Sequence, residues 1–418
     1  TFSRATVNRF QRLIISGVAV AFVLVLGLAI FSFYKEQQVQ DMLANARISI
    51  SRSLAAFALT KMETDPELSL LLATESVRTL YDTNETVLPL SNTVLRQSLI
   101  KSRVRLTLTG HDGGVRSAVY SPDGRRIVTV SDDKTAKVWE AQTGKELMTL
   151  TGHDDWVWSA VYSADGERIV TASEDKTAKV WDADTGQELM TLTGHDDMVL
   201  SVAYSADGER IVTASEDKTA KVWEANTGQE LLTLKGHDDR VWSAVYSADG
   251  EQIVTASGDK TAKVWEADTG QELMTLTGHD DMVLSVAYSA DGERIVTASE
   301  DKTAKVWEAN TGQELLTLKG HDDRVWSAVY SADGERIVTA NRDNTAKVWE
   351  ADTGQELMTL KGHGSRVASA AYSPDGKRIA TAGSDGIVQI YTTDMDELLQ
   401  IAESRVTRQL TAEEKEKY

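Results

Sequence analysis

The chain has 418 residues, no cysteine and a formal net charge of −20. Without cysteine it can build neither a disulfide framework nor a thiolate metal site. A surface this acidic repels phosphate backbones, so nucleic acid is not an expected partner; acids that keep a large β protein soluble account for the charge.

The first element is Leu13–Phe33, 21 residues without a charge. As a helix it would be roughly 31 Å long, about the depth of a hydrocarbon core, so a single membrane span is expected. A cleaved signal peptide would have a shorter apolar core and small residues at its end. Here Phe31, Phe33 and Tyr34 follow instead. Arg4, Arg9 and Arg12 precede the stretch with no acid among them. That flank predicts a cytoplasmic N-terminus and an extracytoplasmic location for the rest of the chain.

Lys35–Lys61 has good helix formers and neither Gly nor Pro. Val39, Leu43, Ala46, Ile50 and Phe57 form a heptad-like stripe. It is expected to pack on the next helix, with self-association of copies as the alternative. Asp65-Pro66 reads as an N-cap followed by proline at the first helical position. That helix should run to about Leu80, and a further one is expected over Thr93–Lys101. These helices would form a stalk or collar.

From Gly110 onward the dipeptide Gly-His recurs every 42 residues, seven times, and takes up all seven histidines. A fixed period of this size means stacked copies of one supersecondary unit. In the copy at Gly194, apolar-rich runs cover Val199–Tyr204, Arg210–Ala214, Thr219–Trp223 and Glu230–Leu234. Asp207-Gly208 is a dipeptide favoured in two-residue hairpins, where both central residues take positive φ. The unit is therefore a four-stranded antiparallel meander, and seven of them close into a ring with protected edges. Arg103–Thr109 resembles a fourth strand but precedes the first Gly-His, while the last copy lacks one. The early strand is expected to complete the last blade and remove the open edge. Asp394–Arg405 reads as an amphipathic helix and Leu410–Lys417 as a second charged piece, both placed to cap the ring or collar.

The Gly-His start, the Ser-Ala-Asp-Gly turn, the Asp before Val-Trp and the closing Val180-Trp181-Asp182 resemble the WD-repeat β-propeller family. The resemblance implies a hydrogen-bonded tetrad in each blade: His153, Thr171, Asp175 and Trp181 in the second, and His195, Thr213, Asp217 and Trp223 in the third. In the seventh copy Tyr391 stands in the Trp place, which should weaken that tetrad. Asp65–Leu72, the ring and Arg405–Leu410 together resemble the C-terminal part of bacterial signalling proteins with a STAND-class NTPase, a membrane segment and WD repeats. No phosphate loop of the form GxxxxGK[ST] occurs, so such an NTPase would have to precede Thr1.

The fold class expected is thus mainly β, a seven-bladed β-propeller preceded by a transmembrane helix and a small α-helical collar. Residues 1–34 form the flank and span, 35–102 the collar, 103–393 the propeller and 394–418 a helical tail.

Copies three and five are identical, and copies four and six nearly so. Differences collect at three places. Three after His stand Gly114, Trp156, Met198, Arg240, Met282, Arg324 and Arg366. Five after His stand Arg116, Trp158, Leu200, Trp242, Leu284, Trp326 and Ala368. Just before the tetrad Asp stand Asp132, Glu174, Glu216, Gly258, Glu300, Arg342 and Ser384. The first two sets are two residues apart on a strand and should share a face. In the family this end carries partner contacts. Exposed Trp, Arg and Met are the composition of an interaction hot spot. The expected partner-binding set is Trp156, Trp158, Met198, Leu200, Arg240, Trp242, Met282, Leu284, Arg324, Trp326, Arg342 and Arg366. For Leu200 and Leu284, covering their own scaffold is an equal alternative.

Chemistry finds less support. The histidines sit on separate blades, so no metal site and no cofactor is expected. The Asp pairs lack the convergent oxygens of a calcium loop. No histidine is left over as a general base, so no catalytic residue is expected and the chain is not read as an enzyme. The expected function is a non-catalytic, membrane-anchored interaction or sensor propeller binding a protein or peptide within a larger bacterial signalling protein. The alternative is a membrane scaffold that forms a homo-oligomer through the span and stalk helices.

Overall fold

The computed structural model describes residues 4–61, 66–83, 87–88, 90–91, 94–95 and 104–405, with side chains described from Phe33 onward. It divides into two compact units. One holds residues 1–98 and 405–418, the other Leu99–Ser404.

In the first unit, α1 (Arg4–Lys61) pairs with α2 (Pro66–Tyr81). The packing face of α1 is Ser51, Leu54, Ala55 and Ala58, which repeat at helical spacing and are buried. Ser51 Oγ donates to Ser76 O at 2.7 Å and lies 2.9 Å from Ser91 Oγ. The stripe expected to pack is a different one: Val39, Leu43, Ile50 and Phe57 are exposed. Small residues let the helix backbones approach, and that close approach chose the Ser51–Ala58 face over the larger side chains. Leu410–Lys417 and most of Thr93–Lys101 lie outside the described residues.

The expected membrane location is corrected here. Among the described residues no helix is long and apolar enough to cross a membrane. Leu13–Phe33 is part of α1, but of its side chains only that of Phe33 is described.

The second unit consists of seven four-stranded antiparallel sheets. Blade 3 is representative: Val199–Tyr204, Arg210–Ser215, Thr219–Glu224 and Glu230–Lys235. In blade 7 the outermost strand is Val104–Thr109, paired with Ile387–Thr392 in the register Leu106↔Ile390, Leu108↔Val388. A strand from the start of the ring thereby closes the blade at its end. A final helix α3 (Met395–Arg405) is capped by Asp394, whose Oδ1 accepts from Glu397 N at 2.9 Å. It is tied to blade 7 by Lys377–Asp394 at 2.9 Å and to the closing strand by Arg105–Glu397 at 2.7 Å.

The Asp-Gly hairpin is longer than the two-residue turn expected. Only Gly208 takes positive φ, at 71–76° across the equivalent glycines of blades 1 to 6, and Asp207 does not. Asp207 acts through its side chain instead, accepting from Ser205 Oγ at 2.5 Å and Glu209 N at 2.9 Å. That local hydrogen bonding is what Asp offers in a turn.

The core lies between blades. Val170, Ala172, Val180 and Leu192 of blade 2 pack with Val199, Ile211 and Trp223 of blade 3, and every neighbouring pair repeats the pattern. Each strand-three Trp is buried in such a joint. Burying one contributes about 4–6 kcal/mol of hydrophobic free energy. No blade could keep that gain alone, which is why the unit repeats.

Candidate interaction site

The tetrads set the rim on which the variable residues stand. In blade 2, His153 Nδ1 lies 2.6 Å from Asp175 and Nε2 lies 2.7 Å from Thr171 Oγ1. Trp181 Nε1 donates to the same Thr171 Oγ1 at 2.9 Å. Blade 3 repeats this through His195, Thr213, Asp217 and Trp223. Burial pushes the Asp175 carboxyl upward, but hydrogen bonds from His153, Thr177 and Asp154 N outweigh it and hold the group well below the usual carboxylate range. In blade 7 the Tyr391 hydroxyl turns to Gln389 and to Lys361 O, 3.3 Å away. Thr381 keeps its histidine at 2.7 Å. The chain of four is a chain of three there.

The five-after-His residues do not share the rim with the three-after-His residues. In every blade the pairing of strands one and two slips at that position. Val199 pairs with Ser215 and Ser201 with Ala214, leaving Leu200 as the extra residue of a β-bulge. The same slip falls at Arg116, Trp158, Trp242, Leu284, Trp326 and Ala368. A bulge re-aims a side chain. Here it turns seven of them toward the ring axis, where with Arg366 they line a cavity of about 100 Å³. Leu200 and Leu284, expected as contact residues, are each only 5% exposed, and Trp158, Trp242 and Trp326 are partly buried plugs of the same channel.

Alternation makes the plug. Trp158, Trp242 and Trp326 come from blades 2, 4 and 6, with the smaller Leu200 and Leu284 between. The indoles therefore reach over the leucines and meet edge to face, at 6.1 Å for Trp158–Trp242 and 6.4 Å for Trp242–Trp326. Arginines end the row. Arg116 stacks over Trp158 at 4.2 Å and Arg366 over Trp326 at 5.3 Å. Trp158 Nε1 donates to Glu174 at 2.8 Å, whereas the enclosed indole N–H groups of Trp242 and Trp326 have no oxygen acceptor.

The other two variable sets do lie together. Their backbones are bonded: Glu216 N to Met198 O at 3.0 Å, Glu174 N to Trp156 O at 2.9 Å, Glu300 N to Met282 O at 2.9 Å and Arg342 N to Arg324 O at 3.0 Å. Side chains then join neighbouring blades, Arg240 to Glu216 at 2.7 Å and Arg324 to Glu300 at 2.5 Å. Trp156 is 39% exposed, with Met198, Met282, Arg240 and Arg324 partly exposed and Arg342 exposed beside it. Arg116, left out of the expected contact set, borders it: its guanidinium stands 5.1 Å over the Trp156 ring and is held by Asp132 through Nε at 2.5 Å and Nη2 at 3.1 Å. Its place five after His was the available signal.

A second group escaped sequence reasoning altogether. Lys134, Lys176, Lys218, Lys260 and Lys302 adopt φ near +70° and donate through Nζ to a backbone carbonyl of the next blade at 2.6–3.0 Å. Left-handed Lys costs about 1–2 kcal/mol, which the clamp offsets. Blades 6 and 7 have Asn344 and Gly386 there.

A closed ring of seven repeats whose variable residues gather at one end defines a repeat propeller with one variable face. The chain belongs to the WD-repeat family. The model of the WD domain, G-beta repeat, matches it seven times, at 102–140, 144–182, 186–224, 228–266, 270–308, 312–350 and 354–392. The chain is similar to nuclear distribution protein nudF 2 of Aspergillus clavatus, 54% identical over 41 residues, 10% of this chain and 9% of that protein. It is 47% identical over 38 residues to vegetative incompatibility protein HET-E-1 of Podospora anserina, 9% of this chain and 3% of the other. Lissencephaly-1 homolog 1 of Paramecium tetraurelia is 40% identical over 55 residues, 13% and 12% of the two chains. The chain thus spans a small part of these relatives. None of the three is bacterial, so they lend no support to the bacterial signalling context expected above.

Proposed function

We propose that the ring is a protein-interaction module that holds a protein or peptide on the face bearing Trp156, Met198, Arg240, Met282, Arg324 and Arg342. The observation that carries this is the backbone bond that pairs the two variable sets within each blade, with Arg240–Glu216 and Arg324–Glu300 joining neighbouring blades, on a repeat that is otherwise nearly uniform. The fold makes such a surface cheap to use. Tetrads and clamps hold the loops, so side chains lose little freedom on binding. The channel residues Trp158, Leu200, Trp242, Leu284 and Trp326 support the surface from below, and Arg366 joins it at the mouth.

Trp156→Ala combined with Arg324→Ala tests the reading. Partner binding should fall by at least about tenfold with the thermal midpoint little changed, since neither side chain is core. Unchanged binding would refute the proposal.

A second reading, self-association through α1, is favoured by the exposed Val39, Met42, Leu43 and Ile50. Light scattering of the full chain checks it: a defined oligomer lost on Leu43→Ser with Ile50→Ser supports it, and a monomer rejects it.

A further inference from the structure

The upper face is not electrically uniform, although the repeat is. Five copies carry an Asp pair after His, and three, in blades 2, 3 and 5, carry a Glu before the tetrad Asp. In blade 7 these become Gly364-Ser365 and Ser384, in blade 6 the Glu becomes Arg342, and in blade 1 one Asp becomes Gly113. The same blades supply Arg366 and Arg116. Blade 7 thus holds none of these acids, although Asp132 and Asp322-Asp323 remain on its neighbours, and Arg366, Arg116 and Arg342 gather around it in one sector of a chain of net charge −20. At physiological salt, charges beyond about 8 Å are largely screened, so a docking group meets this sector and not the total.

Within the sector Arg366 is the unneutralised cation. Its Nε donates to Ser384 Oγ at 2.7 Å, and no carboxylate lies within ion-pairing distance among the described residues. Asp132 is already taken by Arg116 on two atoms, and Asp323 stands 4.0 Å from Arg342. Burial and the nearby Arg116 and Arg342 disfavour the charge on Arg366, and Asp132 offsets them only in part. A half-buried guanidinium with free N–H donors, stacked on Trp326, recognises a planar anion in bidentate fashion. Ala368, the smallest of the seven channel residues, leaves room beside it.

We propose that the mouth of the channel on the blade 6–7–1 side docks an acidic segment of a partner protein, one side-chain carboxylate pairing with Arg366 and an adjacent apolar side chain lying on Trp326. This rests on the reading of the upper face as the partner surface and names the chemistry of what binds there.

The test uses the full chain and the fluorescence of its channel tryptophans. An N-acetylated, C-amidated nine-residue peptide alternating Glu and Leu is the probe. Its Gln-for-Glu counterpart, that counterpart with a free C-terminal carboxylate, and inorganic tripolyphosphate are the comparisons. The Glu peptide should bind, more weakly as salt rises, and Arg366→Gln should weaken it about tenfold or more while Arg366→Lys keeps part of the affinity. Arg342→Gln, at an exposed side chain that cannot carry the fold, should weaken it less. Failure of the Glu peptide to bind, equal binding in Arg366→Gln, or preference for the free C-terminus or tripolyphosphate would overturn the proposal. If the Gln peptide binds as tightly and Trp156→Ala abolishes it, the charge inference falls while the partner surface stands.

Discussion

Trp158 and Trp242 meet edge to face with ring centroids 6.1 Å apart, although blade 3 lies between the blades that carry them. The contact exists because Leu200, in that intervening blade, is too short to fill the axis. Large and small residues alternate around the channel, which gives the duplicated two-blade unit a packing function.

That arrangement separates two conservative changes. Trp158→Phe loses the bond to Glu174 and should cost about 1 kcal/mol. Trp242→Phe keeps a ring in place and removes an enclosed donor that has no acceptor, so stability should be unchanged or rise. Denaturant midpoints of the two variants check the contrast, and equal losses would contradict it. Replacing Trp158, Trp242 and Trp326 together by Ala should lower the thermal midpoint, because these rings plug the channel.

Blades 3 and 7 should respond differently to loss of the tetrad Asp. Asp217 is 2.7 Å from His195 in a complete tetrad, whereas Asp385 is 3.0 Å from His363 where Tyr391 takes no part. Asp217→Ala is expected to cost about 2–3 kcal/mol and Asp385→Ala less. Urea unfolding of both variants would show the order.

Acid should act through the same carboxylates. Burial raises the Asp343 carboxyl, but His321, Thr345 and Asp322 N bring it down to about 2, and Asp133, Asp175, Asp217, Asp259 and Asp301 are likewise lowered. A carboxyl depressed in the folded state stabilises fully above its unfolded pKa near 4 and loses that contribution as pH falls through the folded value. Relief of the net negative charge acts the other way above that window. Stability should therefore hold to about pH 4 and drop steeply toward pH 2, by chemical denaturation at fixed ionic strength. A flat profile from pH 4 to 2 would exclude linkage through the tetrads.

Blade 7 should open first. The Lys clamps join blades 1 through 6 in turn, but Asn344 and Gly386 leave both joints of blade 7 without one. On the opposite end, Arg126, Arg168, Arg210 and Arg294 donate to the next blade, while Arg378 stands 3.8 Å from Glu397 of α3 beside a cavity of about 300 Å³. Hydrogen exchange should reach Val367–Thr392 and Val104–Thr109 before blades 2 to 5. Uniform protection around the ring would argue against the seam.

What the sequence determined by itself is everything tied to the period. Fixed spacings of 18 and 22 residues bring each His to its Thr and Asp, because the strands between are regular and the same in every copy. The closing strand was legible for the same reason, as a fourth strand displaced to the front. What only the tertiary structure decided is where the variable side chains point. Strict alternation would put Met198 and Leu200 on one face, but a bulge one residue long, set by the meeting of seven inner strands at the axis, sends Leu200 inward and leaves Met198 on the rim. The same holds for the stripe on α1: periodicity pointed to Val39, Leu43, Ile50 and Phe57, but close approach of α2 selected the face with the small residues. Spacing along a chain encodes local partners, whereas the direction of a side chain at a crowded axis depends on neighbours that no single repeat contains.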